Sequence, residues 1–78
     1  MHKVTIYSTP SCHFCHAAKD FFQKNSVEFT DHNVAVDRTL ADEMVAKSGQ
    51  MGVPVIDIDG EIVVGFDEPK LKTLLGIN

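Results

Sequence analysis

Three things are scarce in this 78-residue sequence: cysteine, long apolar runs and clusters of positive charge. With only two cysteines, no network of disulfides can staple the fold, as it does in many small secreted domains. No stretch approaches the roughly 20 apolar residues needed to cross a bilayer. The opening MHKVTIYS passes straight into an alternating pattern, without an apolar run of leader-peptide length. The expectation is a chain that enters no membrane and stays in the reducing cytoplasm. Lys and Arg number 7 against 11 Asp and Glu, a net charge of −4, and they gather nowhere. Nucleic acid, whose binding rests on neutralising phosphates, is therefore not an expected partner. The mild acidity serves solubility.

A chain this short buries only about 60% of its unfolded surface, so stability must come from regular elements packed economically. Lys3–Ser8 reads as a strand, with Val4 and Ile6 on one face and Thr5 and Tyr7 on the other. Pro10, which has no amide proton for a ladder, breaks it. From His13 to Lys24 the apolar residues Phe14, Ala17, Ala18, Phe21 and Phe22 fall at helical spacing. Val27–Asn33 alternates again and predicts a second strand. Asp37 or Thr39 would cap the next helix, with Asp42 and Glu43 near its positive end. Ala41, Met44 and Val45 would form its inner face, and Gly49 its stop.

The strongest local signal is Asp59-Gly60 between Val55–Ile58 and Glu61–Val64, a two-residue hairpin loop. Asp67-Glu68-Pro69 opens a last helix whose buried stripe is Leu71, Leu74 and Leu75, closed by Gly76. The order β-α-β-α-β-β-α shows no repeat, low-complexity tract or linker. The first β-α-β unit should give two parallel strands and the hairpin should add antiparallel ones. The expected fold is α/β: a mixed four-stranded sheet with helices on both faces.

Cys12-His13-Phe14-Cys15 falls at the first strand-to-helix junction. Cysteines three residues apart in a first helical turn can approach to disulfide-bonding distance. A helix N-terminus has unpaired N–H groups and partial positive charge, and both favour a thiolate on the first sulfur. Cys12, ahead of the helix, is expected to attack; Cys15, one turn in beside Ala18 and Phe22, to resolve the mixed disulfide. His13 either adds positive charge beside Cys12 or faces solvent at a helix start. Two other readings stand beside catalysis. Cys12, Cys15, His13 and His16 could gather zinc, although structural zinc sites usually draw on two separated ligand pairs and no second pair exists; His2 and His32 lie elsewhere. The two cysteines could also be small buried hydrophobes.

Taken together, Ile6-Tyr7-Ser8-Thr9-Pro10-Ser11-Cys12-His13-Phe14-Cys15, Gly49-Gln50-Met51-Gly52-Val53-Pro54 and Gly65-Phe66-Asp67 resemble the glutaredoxins. The likeness is strongest to the short bacterial glutaredoxin-like proteins of the YruB type and covers nearly the whole chain. It implies a single glutaredoxin-like domain over residues 1–78, with the thioredoxin fold, acting as a monomeric thiol–disulfide oxidoreductase. Cys12 and Cys15 would form the redox-active disulfide, with no metal and no other bound cofactor. It also implies a cis Val53-Pro54 bond. Val53 and Pro54, with Tyr7, His13, Phe14, Phe66 and Asp67, would form the surface for substrate or glutathione. Disulfide-containing proteins or small molecules are the implied substrates, and glutathione or a thioredoxin reductase the electron source.

The departures bear on that source. Thr9 stands where glutathione-using members carry a basic residue, His13-Phe14 where they carry Pro-Tyr, and Glu68 in place of a second Asp. Gly65-Phe66 is similar instead to the NrdH redoxins, which take electrons from thioredoxin reductase. The family also implies an alternative, a glutathione-assisted carrier of an iron–sulfur cluster or metal using Cys12, and a non-catalytic interaction module is a third.

Overall fold

A computed structural model describes residues 2–77. Its elements run β1 (Val4–Ser8), α1 (His13–Lys24), β2 (Thr30–Asn33), α2 (Arg38–Ser48), β3 (Val55–Ile58), β4 (Glu61–Val64) and α3 (Glu68–Leu75). The four strands form one sheet in the order β2-β1-β3-β4. β1 lies parallel to β2, with Ile6 opposite Asp31, and antiparallel to β3, with Ile6 opposite Ile56. β4 pairs antiparallel with β3. The expected element order and mixed sheet are what the chain forms.

Both faces of the sheet are covered, which is why every residue of the central strand β1 is buried. On one face Val4, Ile6, Ile56 and Ile58 pack against Ala18, Phe21 and Phe22 of α1 and Leu71 and Leu75 of α3. On the other, Tyr7 and Val55 meet Met44 of α2, with Val45 and Ile62 at the margin. Among the described residues, no helix is long and apolar enough to cross a membrane.

Local chemistry sets the element ends. Asp37 caps α2 by accepting from the Leu40 amide at 3.2 Å. Asp42 and Glu43 fall outside the first turn of α2 and give no end-charge support; Glu43 instead accepts from the Tyr7 hydroxyl at 2.8 Å. Asp59 and Gly60 have φ of 53° and 94°, the positive pair that a tight hairpin loop demands.

The second strand is shorter than its alternation predicts. Val27 donates its amide to the Phe22 carbonyl at 2.8 Å, closing the end of α1. Val27 and Phe29 therefore pack on the core without joining the ladder. Lys3 likewise stays outside β1, its amide held by the Asp59 carboxylate at 2.7 Å.

A polar clasp ties β1, β2 and α1 together at the end where the chain leaves β1. The Ser8 hydroxyl donates to Asp31 at 2.6 Å, and Lys19 of α1 meets the other oxygen of that carboxylate at 2.6 Å. Burial alone would raise the Asp31 carboxyl, but the Lys19 and Ser8 hydrogen bonds outweigh it and hold it below the ordinary value. A carboxylate held low in the folded chain contributes stability above its unfolded value of about 3.9, and loses it as pH falls through the folded value. In urea unfolding at pH 7, Asp31→Asn is expected to cost about 0.5–1 kcal/mol, a figure discounted for the partial exposure of the pair. The two proteins should converge as pH falls through the lowered folded value of Asp31, below which its carboxyl is neutral like the amide of the variant. A gap that persists unchanged in acid would rule this account out.

Candidate active site at the start of the first helix

After Ser8 the chain turns sharply, with the Cys12 amide donating to the Thr9 carbonyl at 3.3 Å. Cys12 then takes extended angles, φ −87° and ψ 116°, and stands as the N-cap of α1. A capping side chain normally offers oxygen to the first free amides of a helix. Here the cap is sulfur: Cys12 Sγ accepts from the Cys15 amide at 3.2 Å. The Cys12 carbonyl takes the first helical bond, from the His16 amide at 3.2 Å. A ring nitrogen of His16 bonds the Pro10 carbonyl at 2.7 Å, bracing the loop from outside. No acidic residue lies in the first turn of α1, so nothing there opposes negative charge at the cap.

The two sulfurs, both free thiols, occupy different environments. Cys12 is half-buried and Cys15 is fully buried. Burial pushes the Cys15 thiol up to about 12, helped by its hydrogen bond to Cys12 and the charge on that neighbour. The Thr9 backbone and the Lys19 charge act the other way without prevailing. Cys15 therefore keeps its proton at neutral pH while Cys12 faces solvent.

The far wall is the loop before β3. The Val53-Pro54 bond is cis, as the resemblance implies. Cys12 Sγ lies 3.9 Å from the Val53 carbonyl, toward which its thiol is directed. The Pro54 carbonyl accepts the Gly65 amide at 2.8 Å, fixing the loop ahead of α3 beside it. Phe14 and Met51 stand 62% and 81% exposed, one following Cys12 and the other preceding Val53.

The other expected site residues divide. His13 is exposed, its ring meeting Phe14 edge-on at 5.8 Å. Asp67 caps α3 by accepting from the Lys70 amide at 3.3 Å. Tyr7 is 1% exposed with its hydroxyl turned under α2 to Glu43, which removes it from the surface beside Cys12. Phe66 is half-buried against Phe21, at 5.9 Å between ring centres, filling the seam between α1 and α3. Both side chains serve packing, a direction that strand alternation and a loop motif could not disclose. His16 and Gly65 brace the site through the Pro10 and Pro54 carbonyls, roles that the CxxC spacing alone does not announce. Among the described residues, no group of three or more His, Cys, Asp or Glu is arranged to hold a metal.

The unequal burial has a direct chemical readout. Iodoacetamide should modify Cys12 and spare Cys15 between pH 6 and pH 9, a range below the Cys15 value of about 12, with the adduct located by peptide mass spectrometry. Equal labelling of both sulfurs in the folded protein would contradict the burial described.

Comparison with known proteins bears on this geometry. The glutaredoxin family model matches residues 4–63. An uncharacterized glutaredoxin-like 8.6 kDa protein in the rubredoxin operon of Clostridium pasteurianum is 43% identical over 72 residues, spanning 92% of this chain and 96% of its own length. Glutaredoxin 3 of Escherichia coli strain K12 is 32% identical over 68 residues, 87% of this chain and 82% of that protein. Among solved structures, the thioredoxin-like protein BC3987 superimposes with a TM-score of 0.87 at 30% identity, covering 92% of this chain and 99% of that one. The Escherichia coli glutaredoxin-like protein NrdH-redoxin gives 0.84 at 26% identity, covering 92% and 93%. With a thioredoxin fold, a CxxC at the first helix start and matches along most of its length, the chain belongs to the glutaredoxin family.

Proposed function

We propose that this protein reduces disulfides by a two-cysteine exchange in which Cys12 attacks and Cys15 resolves. The observation that carries the reading is the pairing of a half-exposed sulfur at a helix N-cap with a fully buried one a turn further on. The Cys12 thiolate attacks one sulfur of the substrate disulfide, forming a mixed disulfide and expelling the other sulfur as thiolate. Cys15 then gives up its proton and attacks Cys12. The second substrate sulfur leaves, and the protein holds a Cys12–Cys15 disulfide. Two electrons pass to the substrate. A reducing compartment, the cytoplasm on this reading, keeps the dithiol available.

Val53 supports the substrate step. Its carbonyl stands beside Cys12 Sγ, where backbone groups can pair with an extended peptide as an added strand would. Phe14 and Met51, both exposed and close in sequence to Cys12 and Val53, offer apolar contact on this reading, with His13, Pro54 and Asp67 as further binding residues. Glutaredoxins as a family use glutathione as reductant, and glutathione is the regenerating thiol on this reading. Thr9 offers no cation for its carboxylates, which weakens binding by about 0.5–1 kcal/mol on the scale of exposed ion pairs. That same absence, with Gly65-Phe66, favours a second reading in which a thioredoxin reductase supplies the electrons.

Cys12→Ser is expected to drop disulfide reduction to the uncatalysed background. Cys15→Ser should accumulate a mixed disulfide on Cys12, visible as added substrate mass that a reductant removes. Trapping through Cys15 alone would reverse the two roles. To identify the reductant, the oxidised protein is offered glutathione or thioredoxin reductase with NADPH in separate reactions. Recovery of the dithiol with glutathione is the expected result, and faster recovery with the reductase would assign the second reading.

A further inference from the structure

The polar clasp at the end of β1 sits where the buried cysteine enters the fold. Lys19 follows Cys15 by four residues, the spacing that places two side chains on one helix face. Its side chain is 21% exposed, pinned at 2.6 Å by Asp31. Asp31 is oriented in turn by the Ser8 hydroxyl, and Ser8 is itself 1% exposed. A lysine on a helix surface ordinarily reaches for water. Here β1, β2 and α1 together fix one ammonium on the Cys15 side of the helix.

That charge matters in the second half of the exchange. In the resting dithiol, Cys12 is among the groups that keep the proton on Cys15. In the mixed disulfide the Cys12 sulfur carries neither proton nor charge, and that contribution ends. Burial still opposes ionisation of Cys15, while the Thr9 backbone and Lys19 favour it. The other charged groups nearby are Asp31 on β2, which holds Lys19, and His32, which acts on Asp31. His16 is turned outward to the Pro10 carbonyl.

We propose that Lys19 is a positioning residue for the resolving step, its ammonium held by Asp31 and Ser8 to stabilise the negative charge that Cys15 takes on as it attacks Cys12. The proposal rests on the two-cysteine mechanism above. In this step the Cys15–Cys12 bond forms, the bond from Cys12 to substrate sulfur breaks, and the departing thiolate accepts a proton from solvent in place of the one Cys15 released.

A chromogenic aryl disulfide that releases thionitrobenzoate separates the two halves by stopped flow. Attack by Cys12 releases one equivalent at a rate proportional to reagent; resolution by Cys15 releases the second at a rate independent of it. In Lys19→Met the first phase should be unchanged and the second slower by about threefold. That figure combines a tenfold loss of thiolate with a partly compensating gain in nucleophilicity, for a Brønsted slope of about 0.4–0.5. The pH profile of the second phase should move to higher pH, and Lys19→Arg should restore both rate and profile. Lys19→Met/Asp31→Asn, which leaves no stranded carboxylate, should keep the slow second phase. An unchanged second phase in Lys19→Met, equal slowing of both phases, or recovery in the double variant would overturn the role of Lys19. Wild-type protein that releases no second equivalent at all would instead overturn the two-cysteine mechanism.

Discussion

The structure turns on a hydrogen bond in which sulfur does the work of a capping oxygen. Cys12 Sγ accepts the Cys15 amide, and this contact both begins α1 and aims the helix's unpaired amides at the reactive atom. It requires that Cys12 leave β1 in an extended conformation and that Cys15 follow one turn later. The CxxC spacing meets both conditions. Because β1 lies between β2 and β3 with every residue buried, the cap is anchored to a strand packed on both faces.

From that anchoring follows the division between the cysteines. The cap residue lies outside the helix cylinder and reaches solvent. The residue three positions later points inward, toward the face that Ala18 and Phe22 bury. One helical turn thus produces two sulfurs of unlike accessibility without further machinery. The loop ahead of β3 completes the arrangement by setting a backbone carbonyl next to the outer sulfur, the main-chain group on which the proposed pairing with a peptide substrate rests.

Much of this is legible in the amino-acid sequence. The limits of α1, the Asp59-Gly60 loop, the Asp37 cap, the opening of α3 at Asp67-Glu68-Pro69 and the stops at Gly49 and Gly76 are local events, decided by residues a few positions apart. Where the reading fell short, a distant partner decided. Val27 was drawn out of the strand pattern by a carbonyl of α1. Alternation placed Tyr7 on the right face of β1, but only the packing of α2 sent its hydroxyl to Glu43. Phe66 belongs to a motif next to the site, yet Phe21 takes its ring. The Ser8–Asp31–Lys19 clasp joins three elements, and nothing in the spacing of those residues foretells it.

A cap made of sulfur couples the helix to the electron count of the protein. When Cys12 is ionised its sulfur is a better acceptor for an amide proton than one bound in a disulfide, so the opening turn of α1 is firmer with the thiolate than with the oxidised pair. Thermodynamic reciprocity then requires that whatever loosens this turn also makes the pair easier to oxidise. Secondary structure and redox poise are here two accounts of one free energy, and evolution can tune either by altering residues along the first turn of the helix.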